Sequence, residues 1–257
     1  MVSLEDPSRY CENMPLCLVS TLAATVVAFY VGLLLAKANP LLLPLCLTLA
    51  VYPGFLKMVS ANRLWAAQAL VYGWALLSTM LVAYYSYTQG MQAGGMIAKG
   101  ESYVREMFDW IRTGRGAEGD PSLFVLPKIV EVTVFSVATL LTVGFAGLFM
   151  GAYLLDYMNF YVGVLLTFAK PEHVLEVALL SWPVYAVLRV VGYVMLGTAL
   201  SRVSWLLLRE HRLRLEDGAR RILVYSLVFI ALDFLLKATV ANAVYQPLLK
   251  AYTTIAP

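Results

Sequence analysis

The sequence predicts an all-α, polytopic transmembrane helix bundle with six or seven membrane segments, one of them short or re-entrant. Three observations predict it. Hydrophobic residues make up 61% of the 257 residues and charged residues only 14%, whereas a soluble domain carries about 25% charged residues. Residues 15–36, 64–87 and 132–155 contain no Asp, Glu, Lys, Arg or His. Each run exceeds the roughly 18 apolar residues that suffice to cross a bilayer. Cell-membrane, multi-pass localisation follows, with the lipid bilayer as the first partner.

The elements follow in order. Residues 1–14 read as an irregular tail with Pro7. The run 15–36 is longer than a signal-peptide core, and its flank of Glu5, Asp6, Arg9 and Glu12 is net acidic, so it reads as a retained helix. Lys37 to Pro40 break the chain, and a second stretch covers about 41–56 with Pro44 and Pro53. A third helix covers about 64–87 and ends in an interfacial belt with Tyr84, Tyr85 and Tyr87.

Residues 88–127 form an extramembrane or interfacial insertion in what otherwise reads as one integral membrane domain, 1–257. Within it, Tyr103, Met107, Trp110 and Ile111 fall near one side of a helix. That helix either lies in the interface or covers the protein. A fourth helix is expected over about 127–155, lined by Gly144, Gly147 and Gly151, whose last two members form a GxxxG pair suited to close helix packing. The uncharged segment 157–169 is too short to span alone, so either its helix starts near Gly151 or it is re-entrant. A helix over about 172–201, bent at Pro183, and a last one over about 222–249 complete the chain.

The link between these last two carries Arg202, Arg209, Arg212, Arg214, Arg220 and Arg221. A short, Arg-rich link marks the cytoplasmic side. With seven spans the N-terminus is then inside and 88–127 outside; with six, both reverse. The arginines either set topology or meet anionic lipid headgroups or a partner. A formal charge of +3 is too small to imply nucleic-acid binding. The odd set Cys11, Cys17 and Cys46, without CxxC or Cys/His clusters, favours neither a disulfide framework nor a zinc site, and no metal or cofactor is expected.

Ionisable groups at membrane depth are costly and point to function or pairing. Glu131, Asp156, Glu172, His173, Glu176, Arg189, Asp233 and Lys237 are the candidates. Glu172 and Glu176 stand at i and i+4, a spacing for two carboxylates sharing a proton or a cation, or for two acids suited to a helix N-terminus. His173 points elsewhere on that helix and can meet Asn159 across the preceding turn. Arg189, in mid-helix, needs a partner from another segment: Asp156, Glu131 or Asp233. Asp233 and Lys237, also i and i+4, form a candidate structural ion pair.

Asn159 with Gly163, and the segment PEHVLE over 171–176, resemble the stage II sporulation protein M family. That family pairs an Asn-x-x-x-Gly segment with a Pro-His-Gly-x-x-Glu motif opening the next helix. Pro171 and Glu176 match the motif's ends, while Glu172 stands at its His place and His173 at its Gly place. The resemblance implies a multispanning membrane component that works with partners.

Together these features favour a membrane scaffold or permease-like component of a larger assembly, with membrane-protein partners or a homo-oligomer. Asn159, Glu172, His173, Glu176 and Arg189 form its ligand or ion site. An autonomous channel or secondary transporter is the alternative. An intramembrane enzyme is a further one, although no HExxH, paired aspartates or Ser–His pair supplies catalytic residues.

Overall fold

The computed structural model describes Cys11, residues 13–211 and 214–255. These residues form an all-α, multi-span bundle, and seven of its helical segments are long and apolar enough to cross a membrane. The expected class is therefore found, with the larger of the two expected span numbers.

Helix α1 (Met14–Ala36) starts where the Asn13 side chain accepts a hydrogen bond from the Leu16 N–H, the usual remedy for an orphan donor at a helix start. Helix α2 (Leu42–Ser60) keeps Pro53 inside it, and α3 (Leu64–Gln89) ends at Gly90 with a positive φ. A 3₁₀ turn over Gly90–Met96 leads to α4 (Gly100–Thr113). Helix α5 (Pro121–Leu141) is capped by Asp120, whose carboxylate accepts from the Ser122 N–H.

The expected single helix over 127–155 is in fact two. After α5 the chain reverses through Thr142, Val143 and Gly144, and α6 (Phe145–Thr167) returns through the bundle. Val143 and Gly144 both have positive φ, 51° and 89°. A Cβ on Gly144 would lie 2.2 Å from the Ser201 hydroxyl, so glycine meets both a backbone and a space requirement there. Hydropathy did not mark the turn because none of its residues is charged. The segment 157–169 is consequently, as far as Thr167, the second half of a full-length helix.

Beyond α6, a 3₁₀ turn over Pro171–His173 and α7 (Val174–Leu180) precede a break at Pro183, which opens α8 (Val184–Glu210). Helix α9 (Asp217–Val240) passes through a π-helical turn, Ala241–Tyr245, into α10 (Gln246–Tyr252).

Helix α6 runs through the middle and packs on α2, α3, α4 and α5. It approaches α3 closely because Gly163 presents no side chain: a Cβ there would lie 2.3 Å from the Ala83 carbonyl oxygen. Gly147 packs beneath the Thr139 hydroxyl in the same way, whereas Gly151 meets nothing within 4 Å and borders a small cavity of about 80 Å³. Apolar side chains such as Leu34, Leu126 and Leu141 face outward, as a hydrocarbon solvent requires.

Hydrogen bonds tie the segment ends into two groups. At one end, Arg63 donates to the Cys11 carbonyl, Tyr52 to the Thr142 carbonyl, and Arg202 to the Val59 and Ser60 carbonyls. At the other, Gln246 donates to the Ile111 carbonyl, Lys250 to that of Arg112, and the Lys170 N–H to that of Tyr252.

Cys11 and Cys17 form a disulfide, with Cα atoms 4.6 Å apart, and Cys46 is free. This corrects the expectation drawn from an odd cysteine count. Parity leaves one thiol over but excludes no single bridge, and here Cys17 in the first turn of α1 meets Cys11.

Candidate functional site

Helix α4 covers the bundle. Val104, Met107, Trp110 and Ile111 are buried beneath it, and Trp110 donates to the Asn242 side chain at 2.7 Å. The apolar side of this amphipathic helix is thus the side that packs on the protein. Its left-handed C-cap at Gly114 turns the chain into the 114–120 loop, which delivers Glu118 to the interior.

There Glu118 meets Lys237 of α9 at 2.9 Å, with side chains only 12% and 5% exposed. The Tyr185 hydroxyl of α8 lies beside the same carboxylate. Burial pushes the Glu118 carboxyl up, but Lys237, Arg189 and the neighbouring Tyr185 hydroxyl outweigh it and hold the carboxyl below its ordinary range. Nearby, burial together with the Glu118 charge holds the Tyr103 phenol well above its usual value.

Two further pairs adjoin. Arg189 of α8 makes a two-bond fork to Asp233 of α9, at 2.8 and 3.0 Å. Lys128 and Glu131 pair within the first turns of α5, and Tyr193 donates to Glu131 at 2.8 Å. Arg189 lies within electrostatic reach of Glu118, Lys128 and Glu131, which makes the three pairs one network. Its acids Glu118, Glu131 and Asp233 balance its bases Lys128, Arg189 and Lys237, so its formal charge is zero. Buried ions persist when each is paired and hydrogen-bonded.

Beside the network lies a cavity of about 390 Å³ between α3, α6 and α8, with Glu118 and Tyr103 in its wall. Asn159 also borders it. The amide of Asn159 donates to Thr79 and to the Leu155 carbonyl, and its oxygen accepts from Trp182. The whole side chain is thereby fixed.

The other predicted residues fall elsewhere. Glu172 is exposed in the 3₁₀ turn, and His173 stacks on Tyr252 with its Nδ1 3.6 Å from a carboxylate oxygen of Glu176, itself half-exposed. They stand on a different element from Arg189, and none of the three borders the chamber. Asp233 and Lys237 each turn to a partner outside their own helix. Asp156 is buried in α6 and finds no hydrogen-bond partner among the described residues.

In the basic link, Arg202 is buried and forks to Glu216, which those bonds hold below the usual carboxylate range. Arg209 lies over the Trp205 ring, and Arg214, Arg220 and Arg221 are exposed. Arg212 lies outside the described residues.

Sequence reasoning missed Glu118, Lys128, Tyr185 and Tyr193. The i, i+3 spacing of Lys128 and Glu131 was available to it. Glu118 lies in a glycine-rich loop and gave no sign. No protein-family model, curated protein or solved structure matches the chain.

Proposed function

We propose that the protein is a permease-like component of a membrane assembly, in which α4 and the 114–120 loop close a chamber and the Glu118–Lys237 pair fastens them. One observation carries this reading: an acid from outside the membrane-spanning helices is paired with a lysine inside one, at the chamber wall. Breaking that contact loosens the 114–120 loop, leaving the cover on its Trp110–Asn242 and Gln246–Ile111 bonds, while the Arg189–Asp233 fork still joins α8 to α9. Every charge in the network has a partner, which favours a gated, solute-handling component over an autonomous ion channel with a continuous polar path.

By the positive-inside rule, the end holding Arg209, Arg214, Arg220 and Arg221 is cytoplasmic and the α4 cover is external. The exposed members of that set remain available to anionic headgroups. The likeness to the stage II sporulation protein M family adds the expectation of partners. Two of the four positions that carry it have structural duties here: Asn159 anchors Trp182, and Gly163 admits α3.

Proteoliposomes loaded with rubidium, chloride or glycerol test the reading, together with purification in mild detergent. Protein-dependent efflux of at least one solute, altered by Glu118→Gln, and a reproducible co-purifying partner are expected. Efflux no faster than from protein-free vesicles, with a chain that purifies alone, defeats it.

A further inference from the structure

We infer that the chamber beside the charge network binds an uncharged, mostly apolar molecule carrying a hydrogen-bond-accepting oxygen, admitted sideways from the bilayer between α3 and α8. This rests on the chamber of the preceding reading but not on transport, since binding without flux leaves it intact.

The volume, about 390 Å³, lies within the range of roughly 300–1,000 Å³ typical of small-molecule sites. Its wall is largely apolar and aromatic, with a few fixed polar groups. Leu76 and Met80 of α3 and Val187 of α8 belong to that wall and are also among the exposed large apolar residues. They mark an opening on the face that meets lipid, a route suited to a solute already dissolved in hydrocarbon.

Charge argues for a neutral occupant. The adjoining acids and bases cancel, and Glu118, the ionised group in the wall, is already paired with Lys237. A charged guest would enter without a counter-ion and would have to displace one of these pairs.

Tyr161 supplies the polar contact. It borders the chamber and is only 4% exposed, yet its hydroxyl has no hydrogen-bond partner among the described residues. A buried hydroxyl left unmatched is costly; this one is closed off while the chamber is empty, and a guest oxygen that accepts from it as the ring turns toward the chamber removes that cost. The neighbouring Asn159 amide cannot take this role, because both its donor bonds are in use.

The acceptor can belong to a free amphiphile or to the ester of a lipid tail, and the recognition chemistry is the same. The test uses the full chain in detergent and prodan, a neutral naphthalene ketone whose emission reports polarity. Saturable, blue-shifted binding is expected. Tyr161→Phe should weaken it about five-fold, the loss of one hydrogen bond. Ala186→Phe, which fills the wall, should abolish it.

Among competitors, 2-acetylnaphthalene should displace the probe better than 2-ethylnaphthalene, which has the same shape but no oxygen. Displacement by dioleoylglycerol assigns the natural acceptor to a lipid ester; resistance to it assigns a free amphiphile. Absence of saturable binding, equal competition by ketone and hydrocarbon, or a Tyr161→Phe protein that folds and binds as tightly as the parent would overturn the inference.

Discussion

Arg189 and Asp233 face one another across α8 and α9 through two parallel hydrogen bonds of 2.8 and 3.0 Å, with both side chains buried. The fork matches a planar guanidinium to a carboxylate, and it fixes α8 and α9 in register. Removing one partner leaves a bare charge at membrane depth. Asp233→Asn should therefore destabilise the detergent-solubilised protein by about 3–5 kcal/mol. The double substitution Arg189→Met with Asp233→Leu should cost far less than the sum of the single ones. Melting curves of the parent, Asp233→Asn, the two single variants of the cycle and the double variant check this, and additive losses would contradict it.

The Glu118–Lys237 contact has a defined pH dependence. Because the folded carboxyl is held below its ordinary value, its stabilising effect is complete above the unfolded value, about 4.3, and is lost as pH falls through the lower folded value. The difference in melting temperature between the parent and Glu118→Gln should stay constant from pH 8 to about 5 and shrink only in more acid solution. A difference that fades between pH 8 and 6 would rule out this assignment.

Close approach of α3 and α6 depends on one missing side chain. Gly163→Ala puts a methyl group against the Ala83 carbonyl and should cost about 1–3 kcal/mol, as overpacking does. Gly151→Ala, with nothing within 4 Å, should be close to neutral. Melting temperatures that fall equally for both would show that the helix contact is not the cause.

The bridge between Cys11 and Cys17 makes a simple mass-spectrometric prediction. Under denaturation without reductant, iodoacetamide should modify one cysteine, Cys46; after reduction it should modify three. Three modified cysteines before reduction would exclude the bridge.

The paths of α5 and α6 predict sidedness. In a cysteine-free background, cysteines placed at Asn62, Thr142 and Arg214 should react with an impermeant maleimide from one side of the membrane, and those at Ala38, Ala98 and Glu172 from the other. If Thr142→Cys is shielded or labels with the second set, the reversal between α5 and α6 is not at that membrane face.

The sequence by itself determined the class of this protein. Uncharged runs such as 15–36 and 64–87 satisfy their own backbone only as helices in a medium without water, so their fate follows from local composition. The Pro183 bend and the buried face of α4 were legible for the same reason: proline geometry and helical spacing are properties of a few adjacent residues. The turn at Gly144 was not, since no change of polarity marks it and what requires glycine there is Ser201, far along the chain.

Partner choice, too, belonged to the tertiary structure. Arg189 faced three candidate acids in sequence, and the packing of α8 on α9 selected Asp233. Asp233 and Lys237 stood one helical turn apart, yet each found a better-aligned partner on another element. Charge interactions act through space and over a few ångströms, so the order of residues along a chain proposes which ions need partners, and only the assembled helices decide which ions meet.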